Sequence, residues 1–194
     1  MFGEDTKNQQ YESNKIFVNV INCYLMPEQL SRTMLYSQNP VKQALQDAEN
    51  RAWFEKAVQA LNEQAFVLEA DKITFKHGHF TYVTSNTNFI SMHDKKATIQ
   101  MAFNSPYAGP NGLGGITVDG TASNVQMSTD KKGNISYSMM VTGIGVSASV
   151  FINMYKGTNQ CTATIYPNFS GNIITFSGNL YPEDESNVFK GRAL

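Results

Sequence analysis

The chain has 194 residues, which is the size of one domain, or of one domain with a short appendage. Its 15 basic and 16 acidic side chains give a net charge of −1, which argues against a nucleic-acid partner because such proteins carry basic surfaces. Hydrophobic residues make up 41% and charged residues 16%, which excludes a disordered chain, and the apolar residues are too evenly spread for a membrane-spanning helix.

The N-terminal segment departs from the pattern of an export signal. Glu4 and Asp5 stand where a secretory signal needs positive charge. The apolar run over residues 16–26 is interrupted by two asparagines, and no small-residue cleavage site follows it. We expect this run to form a short strand or a helix packed on the domain. Residues 1–38 are treated as a poorly defined N-terminal segment, and the compartment is left open.

An amphipathic helix is predicted over residues 40–62. Asn39 is a typical helix cap and Pro40 suits the first helical position. Apolar residues then recur at helical spacing, and the run contains no further proline and no glycine. Such a helix cannot bury its apolar face alone, so it must pack on another part of the protein. The expected anchors are Leu45, Phe54, Val58 and Leu61.

From Phe66 onward the apolar period changes to two, which is typical of β-strands. Turn sequences rich in Gly, Asn and Asp separate the alternating segments. About nine to eleven short strands, mostly antiparallel, predict a mainly β fold: a barrel or a two-sheet sandwich, lipocalin-like in general shape, over residues 66–180. With the helix packed on it, this forms a single β domain, residues 39–194. Most predicted strands are shorter than the roughly 9–11 residues that cross a bilayer, so we expect no membrane-spanning segment.

Six blocks of sequence carry a family resemblance: FVLEADKITFKHG (66–78), YVTSNTNFIS (82–91), ATIQMAFN (97–104), GPNGLGGITVDG (109–120), STDKKGN (128–134) and TIYPNFSGN (164–172). In this order they resemble DUF4251, a family of bacterial domains of unknown function found mainly in Bacteroides and its relatives; the ending over residues 183–194 is similar too. The resemblance implies an all-β domain preceded by a helix, and it suggests the periplasm or cell envelope because family members often carry an export signal. It implies no activity, substrate or catalytic residue.

The three histidines are the only candidate metal ligands with suggestive spacing. His77 and His79 would share one face of a strand, and His93 could complete a site. Gly78 between the first two indicates a turn instead, and no carboxylate lies at short spacing. We therefore expect an exposed hairpin tip, with no metal and no cofactor.

Glycines are densest in a loop that precedes a predicted strand. The candidate residues of this loop are Gly109, Asn111, Gly112, Gly114 and Gly115. Such loops can bind phosphate through backbone amides. This one lacks the Gly-Lys-Ser/Thr ending of a P-loop and no helix follows it, so the anion-binding interpretation loses its strongest support. A tight connection that needs positive φ angles is favoured, and a ligand-binding loop is the alternative.

Aromatic side chains in the β region are candidates for lining a pocket at the mouth of a barrel. They are Phe103, Tyr107, Phe151, Tyr155 and Tyr166. The alternative is that they belong to the core, as aromatic residues at strand spacing often do. Cys23 and Cys161 are too few for a disulfide scaffold and are expected to be separate free thiols.

No catalytic signature is present: the chain has no Gly-x-Ser-x-Gly elbow, and paired carboxylates are scarce within its β region. The sequence therefore favours a non-catalytic binding module for a small apolar ligand or a protein partner. A hydrolase or metal-dependent enzyme that uses the histidines is an alternative, and a structural cell-envelope protein is another.

Overall fold

Alternation of inward and outward side chains produces nine antiparallel strands after one helix. The computed structural model describes residues 28–103, 107, 109–168 and 171–193. The helix α1 covers Glu28–Glu63. The strands are β1 Ala65–Phe75, β2 Phe80–Tyr82, β3 Phe89–His93, β4 Lys96–Met101, β5 Ile116–Thr129, β6 Ile135–Gly143, β7 Val146–Met154, β8 Gln160–Pro167 and β9 Ile174–Pro182.

Eight of the strands close into a barrel. Strands β3 to β9 pair in chain order, β3 also pairs with the first half of β1, and β9 returns to pair with β1 from Phe66↔Pro182 to Phe75↔Ile174. Closure leaves these strands without free edges, and it decides between the two predicted arrangements in favour of the barrel. The short strand β2 stands outside the ring, paired with the second half of β1 from Lys72 to Thr74.

The predicted turns connect the strands. The hairpin around Gly78 joins β1 to β2, as its sequence indicates. In the turn between β5 and β6, the Asp130 carboxylate accepts the backbone N–H groups of Lys132 at 2.8 Å and Asn134 at 2.9 Å. The hydrogen bonds from Asn134, backbone and side chain, are the main reason why the pKa of Asp130 lies below its usual value.

The helix is longer than predicted. It begins at Glu28, and Pro40 lies inside it and not at its first position. Proline removes one backbone hydrogen bond and usually breaks a helix interior, so in the sequence Pro40 indicates the start of a helix. Residues 28–35 are mostly good helix formers, such as Glu, Gln, Leu, Arg and Met, and they favour helix on the N-terminal side of the proline as well.

The last turns of α1 pack on the barrel. Ala57, Ala60 and Leu61 are almost fully buried in the same cluster as the inward-facing barrel residues, and Phe54 and Val58 pack against that cluster.

The prediction that Leu45 anchors the helix is wrong, because 68% of that residue is exposed. A helix of 36 residues is about 54 Å long at 1.5 Å per residue. Helical periodicity identifies an apolar stripe but does not tell how much of that stripe has a partner.

Two further contacts hold the end of the helix beside the end of β9. The Trp53 ring meets the Tyr181 ring edge to face, with centroids 5.5 Å apart. Lys56 Nζ lies 2.7 Å from a Glu185 carboxylate oxygen, and the same ammonium stands 4.6 Å from the centre of the Trp53 ring. The helix therefore packs at the barrel end where β1 begins and β9 finishes.

By internal contacts the chain divides into two units, Met1–Asp47 and Ala48–Leu194. The boundary at residues 38–39 stays a prediction. The predicted run over residues 16–26 and Cys23 lie outside the described residues. No helix in the described part of the chain combines the length and the apolar character that crossing a bilayer requires.

The segment that follows β9 covers the outer face of β3, β4 and β5; we call residues 186–193 the C-terminal strap. The Phe189 N–H donates to Asn86 O at 2.7 Å, and the Arg192 N–H donates to Asn111 O at 3.1 Å. Lys190 Nζ lies 2.7 Å from an Asp119 carboxylate oxygen. Burial raises the pKa of Asp119, but the hydrogen bonds from Lys190 and Thr98 outweigh it and leave the pKa below its usual value. The strap thus gives the barrel wall a second, polar layer on this side.

Candidate ligand-binding site

A cavity of about 260 Å³ opens at the barrel end opposite α1. Ten of the eleven residues that line it are apolar. They are Ile99, Met101, Ile116, Val118, Val141, Val146, Ala148, Ile165, Pro167 and Ile174, and Asn172 is the polar one. Because these residues come from β4 to β9 and the loop before β9, the cavity is the unfilled part of the barrel interior.

The cavity exists because inward-facing side chains at this end are aliphatic and of modest size. Val118, Val146 and Ile174 point into the barrel and yet are only half-buried, since no protein atoms occupy the space before them. Further along the same strands, Phe176, two positions after Ile174, and Val150, four positions after Val146, are completely buried and lie deeper in the barrel, as the floor of the cavity. An apolar recess with an apolar floor favours apolar ligands, because it offers almost no hydrogen bonds to water.

The other end of the barrel is filled by larger side chains and by the helix. The Phe66 and Tyr137 rings pack edge to face with centroids 5.5 Å apart, and Tyr137 Oη donates to Met92 Sδ at 3.3 Å. Burial raises the pKa of Tyr137 to about 12, so this hydroxyl stays protonated. Leu61 of α1 closes this end, so the cavity has one entrance.

One polar and one charged side chain lie together at that entrance. Asn172 lines the cavity and is exposed. The Lys76 ammonium donates to the backbone O of Gly171, the preceding residue, at 2.8 Å, and the Lys76 N–H donates to Ile173 O at 2.9 Å. The β1–β2 turn is thereby fixed to the loop between β8 and β9, with its ammonium beside the rim of the cavity.

The structure places the predicted aromatic residues away from this cavity. Phe151 and Tyr166 are 46% and 43% exposed on the outer face of β7 and β8, where their rings contact one another edge to face at 5.7 Å. Tyr107 and Tyr155 are also exposed. Phe103 is half-buried and its ring lies 6.0 Å from that of Phe75.

The glycine-rich loop is a tight connection, as favoured from its sequence. Gly109, Gly112 and Gly114 have positive φ angles of 63°, 77° and 82°. At Gly115 a Cβ would lie 2.0 Å from the backbone O of Met101, so no side chain fits there.

Buried Asn111 organises this loop from within. Its Oδ1 accepts the N–H groups of Leu113 at 2.9 Å and Gly115 at 3.0 Å, and its Nδ2 donates to Met101 O at 2.9 Å. Because the loop amides point at Asn111, two of the N–H groups that could have bound a phosphate are already used.

The histidines lie at opposite ends of the barrel. His77 and His79 flank the β1–β2 turn, whereas His93 ends β3 and contacts Glu183 through Nδ1. Within the described residues no three His, Cys, Asp or Glu side chains are grouped to hold a metal ion. Cys161 is a buried free thiol, and burial raises its pKa. The geometry therefore does not bring the histidines together for the metal-dependent alternative.

The aliphatic residues that line the cavity are not among the predicted pocket residues, which are aromatic. The signal for them was present: Val146, Ala148 and Val150 alternate with Ser147, Ser149 and Phe151. This alternation puts Phe151 on the serine face of β7, which points outward, and puts Ala148 inside. How much of the interior stays unfilled depends on packing between all eight strands, and one strand cannot reveal it.

Comparison with known proteins shows a matching family model and similar solved structures. The family described as "Domain of unknown function (DUF4251)" matches residues 48–180. The crystal structure of a DUF4251 family protein from Bacteroides eggerthii is 49% identical, with a TM-score of 0.65, and the match covers 76% of this chain and 99% of that one. No curated protein gives a significant match.

Proposed function

The chain belongs to the DUF4251 family, whose function is unknown, and from its own geometry we propose that it is a non-catalytic binding module that holds a small apolar ligand inside the barrel. The observation that carries this proposal is the cavity itself: about 260 Å³, open at one end, and lined by ten apolar residues out of eleven. Typical sites for drug-sized molecules begin at about 300 Å³, so the ligand is small.

The size of the cavity sets the affinity that we expect. A methylene group takes up about as much space as a water molecule in the liquid, roughly 30 Å³, so the cavity holds about nine carbon-sized groups. Their burial is worth about 0.8 kcal/mol each, against several kcal/mol for lost translational and rotational freedom. The nine groups together are worth about 7 kcal/mol, which alone corresponds to a dissociation constant of several micromolar, so we expect binding no tighter than micromolar.

The experiment is a fluorescence titration with the uncharged, two-ring probe 1-naphthylamine, whose eleven heavy atoms are close to the capacity of the cavity. Ala148 is buried and lines the cavity, so Ala148→Phe places a ring where the ligand would lie. A cavity of about 150 Å³ accepts one benzene, so this ring fills more than half of the space. We expect saturable binding by the parent protein and at least a tenfold loss of affinity in the variant.

Ser149→Phe is the matched control. It adds the same ring to the next residue of β7, whose side chain points to the outer face. Unfolding transitions of both variants check that the barrel remains folded. A parent protein that does not bind the probe saturably, or a loss that is equal in the two variants, would overturn the proposal.

A further inference from the structure

The loops at the open end of the barrel carry an uneven set of charges. Among the described residues, this end is formed by 76–79, 102–103, 107, 109–115, 144–145, 168 and 171–173. Their sequences contain no Asp or Glu, and their basic groups are Lys76, His77 and His79. At the opposite end, the connections between strands contain both Asp and Lys, and three acidic residues follow β9 directly.

Lys76 is the member of this set that lies closest to the cavity. Its ammonium is 2.8 Å from Gly171 O, and the next residue, Asn172, lines the cavity. An ammonium has three N–H donors, and the contact with Gly171 uses one of them. Within the described residues no carboxylate lies within ion-pair distance of Lys76, although Lys56 and Lys190 each have one.

From this juxtaposition we infer that the ligand is an amphiphile with a carboxylate headgroup, a fatty acid of medium chain length, whose chain fills the cavity and whose headgroup lies at Asn172 and Lys76. The inference rests on the proposed function and adds the chemical class of the ligand. An alkyl chain suits the apolar wall and floor, which provide no polar group below the rim. A carboxylate accepts hydrogen bonds from both an amide NH₂ and an ammonium, and no acidic side chain of these loops repels it.

The length of the chain follows from the volume. About nine carbon-sized groups fit within 260 Å³, so a ten-carbon acid can bury its chain and leave its carboxylate at the rim. Decanoate and 1-decanol have the same chain and differ in the headgroup. They separate the contribution of the headgroup from that of the cavity.

The experiment measures displacement of 1-naphthylamine by decanoate and by 1-decanol, with both ligands below the concentrations at which they aggregate. In Lys76→Met, which keeps an unbranched side chain and removes the charge, we expect decanoate to bind about threefold to tenfold more weakly. This range is typical of one charge pair that remains partly in contact with water. Binding of 1-decanol should change less than twofold. Lys132→Met is the matched control, because it removes the same charge in the β5–β6 turn at the other end of the barrel.

The outcomes separate the two proposals. A loss for decanoate alone, in Lys76→Met alone, supports the carboxylate inference. Equal effects of Lys76→Met on both ligands, no effect on either, or the same decanoate loss in Lys132→Met would overturn it and leave the apolar cavity proposal standing. If the parent protein does not bind the fluorescent probe saturably and neither ten-carbon compound binds, the cavity proposal fails and the inference fails with it.

Discussion

Gln100 is a fully buried polar residue whose side-chain amide uses all of its hydrogen-bonding capacity. Its Nε2 donates to Thr87 O at 2.9 Å and to Phe189 O at 2.7 Å. Its Oε1 accepts from Thr117 Oγ1 at 2.8 Å and from the Gly191 N–H at 2.7 Å. One side chain thus connects a loop, a neighbouring strand and two points of the C-terminal strap.

Replacing Gln100 by leucine should destabilise the protein by about 2–4 kcal/mol. Leucine has nearly the same size but leaves buried donors and acceptors on the strap and the wall without partners, at about 1–3 kcal/mol each when water cannot replace the bond. Urea denaturation measures the free energy of unfolding. Gln126→Leu makes the same chemical change at an exposed position of β5 and should alter stability by less than about 0.5 kcal/mol. Similar losses in the two variants would contradict the role of the strap contacts.

The role of Gln100 could not be predicted from the sequence. Alternation correctly assigns it to the face opposite Ile99 and Met101, but on a barrel that face ordinarily meets water. Gln100 is buried by the C-terminal strap, about ninety residues later in the sequence, and no periodic pattern predicts that contact. Inward-facing residues are predictable because their partners lie on strands with the same period.

At the scale of elements, the helix shows that an apolar stripe in a sequence does not by itself indicate that every residue of the stripe is buried. Leu61 is 1% exposed and Leu45 is 68% exposed, although both belong to the predicted stripe. Leu61→Ala should therefore cost about 2–5 kcal/mol, from lost burial and the cavity left behind. Leu45→Ala, the same substitution on the same helix, should cost less than about 0.5 kcal/mol.

Thermal and urea unfolding of the two leucine variants provide the measurement. A cost at Leu45 comparable to that at Leu61 would mean that the N-terminal part of the stripe has a partner in solution. Most strands were predictable because they have a clear period of two, but β5 contains Asp119 and Gly120, a pair typical of turns. The start of the helix was not predictable. Pro40 is a strong local signal for a helix start, but the helix formers on both sides of it override that signal.

For the molecule as a whole, the ion pair between His93 and Glu183 gives stability a dependence on pH. The hydrogen bond to Glu183 and the charge of that carboxylate raise the pKa of His93 above its usual value, with a further contribution from Asp94, and together they outweigh desolvation and the charge of Lys96. A group whose folded-state pKa is raised stabilises the fold below its unfolded-state pKa, and this contribution disappears as pH rises through the folded-state value. The contribution of His93 to stability should therefore be complete below about pH 6.5 and should be lost as pH rises through the raised pKa of the folded state.

Urea midpoints of the parent protein and of His93→Gln, compared between about pH 5.5 and pH 8.5, measure this contribution. The parent should be more stable than the variant at the acidic end, and the difference should shrink toward the alkaline end. Because His93 is exposed, the effect is small, and salt should weaken it further. A difference that stays constant, or that grows as pH rises, would contradict the assignment.

Closure of the barrel also dictates when the fold can form during synthesis. Strand β1 pairs with β9, so the barrel wall beside Phe66 is complete only once Pro182 has been synthesised. A chain that is still emerging from the ribosome therefore leaves one side of β1 unpaired until residues 174–182 are available, and pairings this distant in sequence are slow to form. Strand β9 and the strap that follows it complete the structure together, so cooperative folding of the barrel depends on residues 174–193, more than a hundred positions after β1 begins.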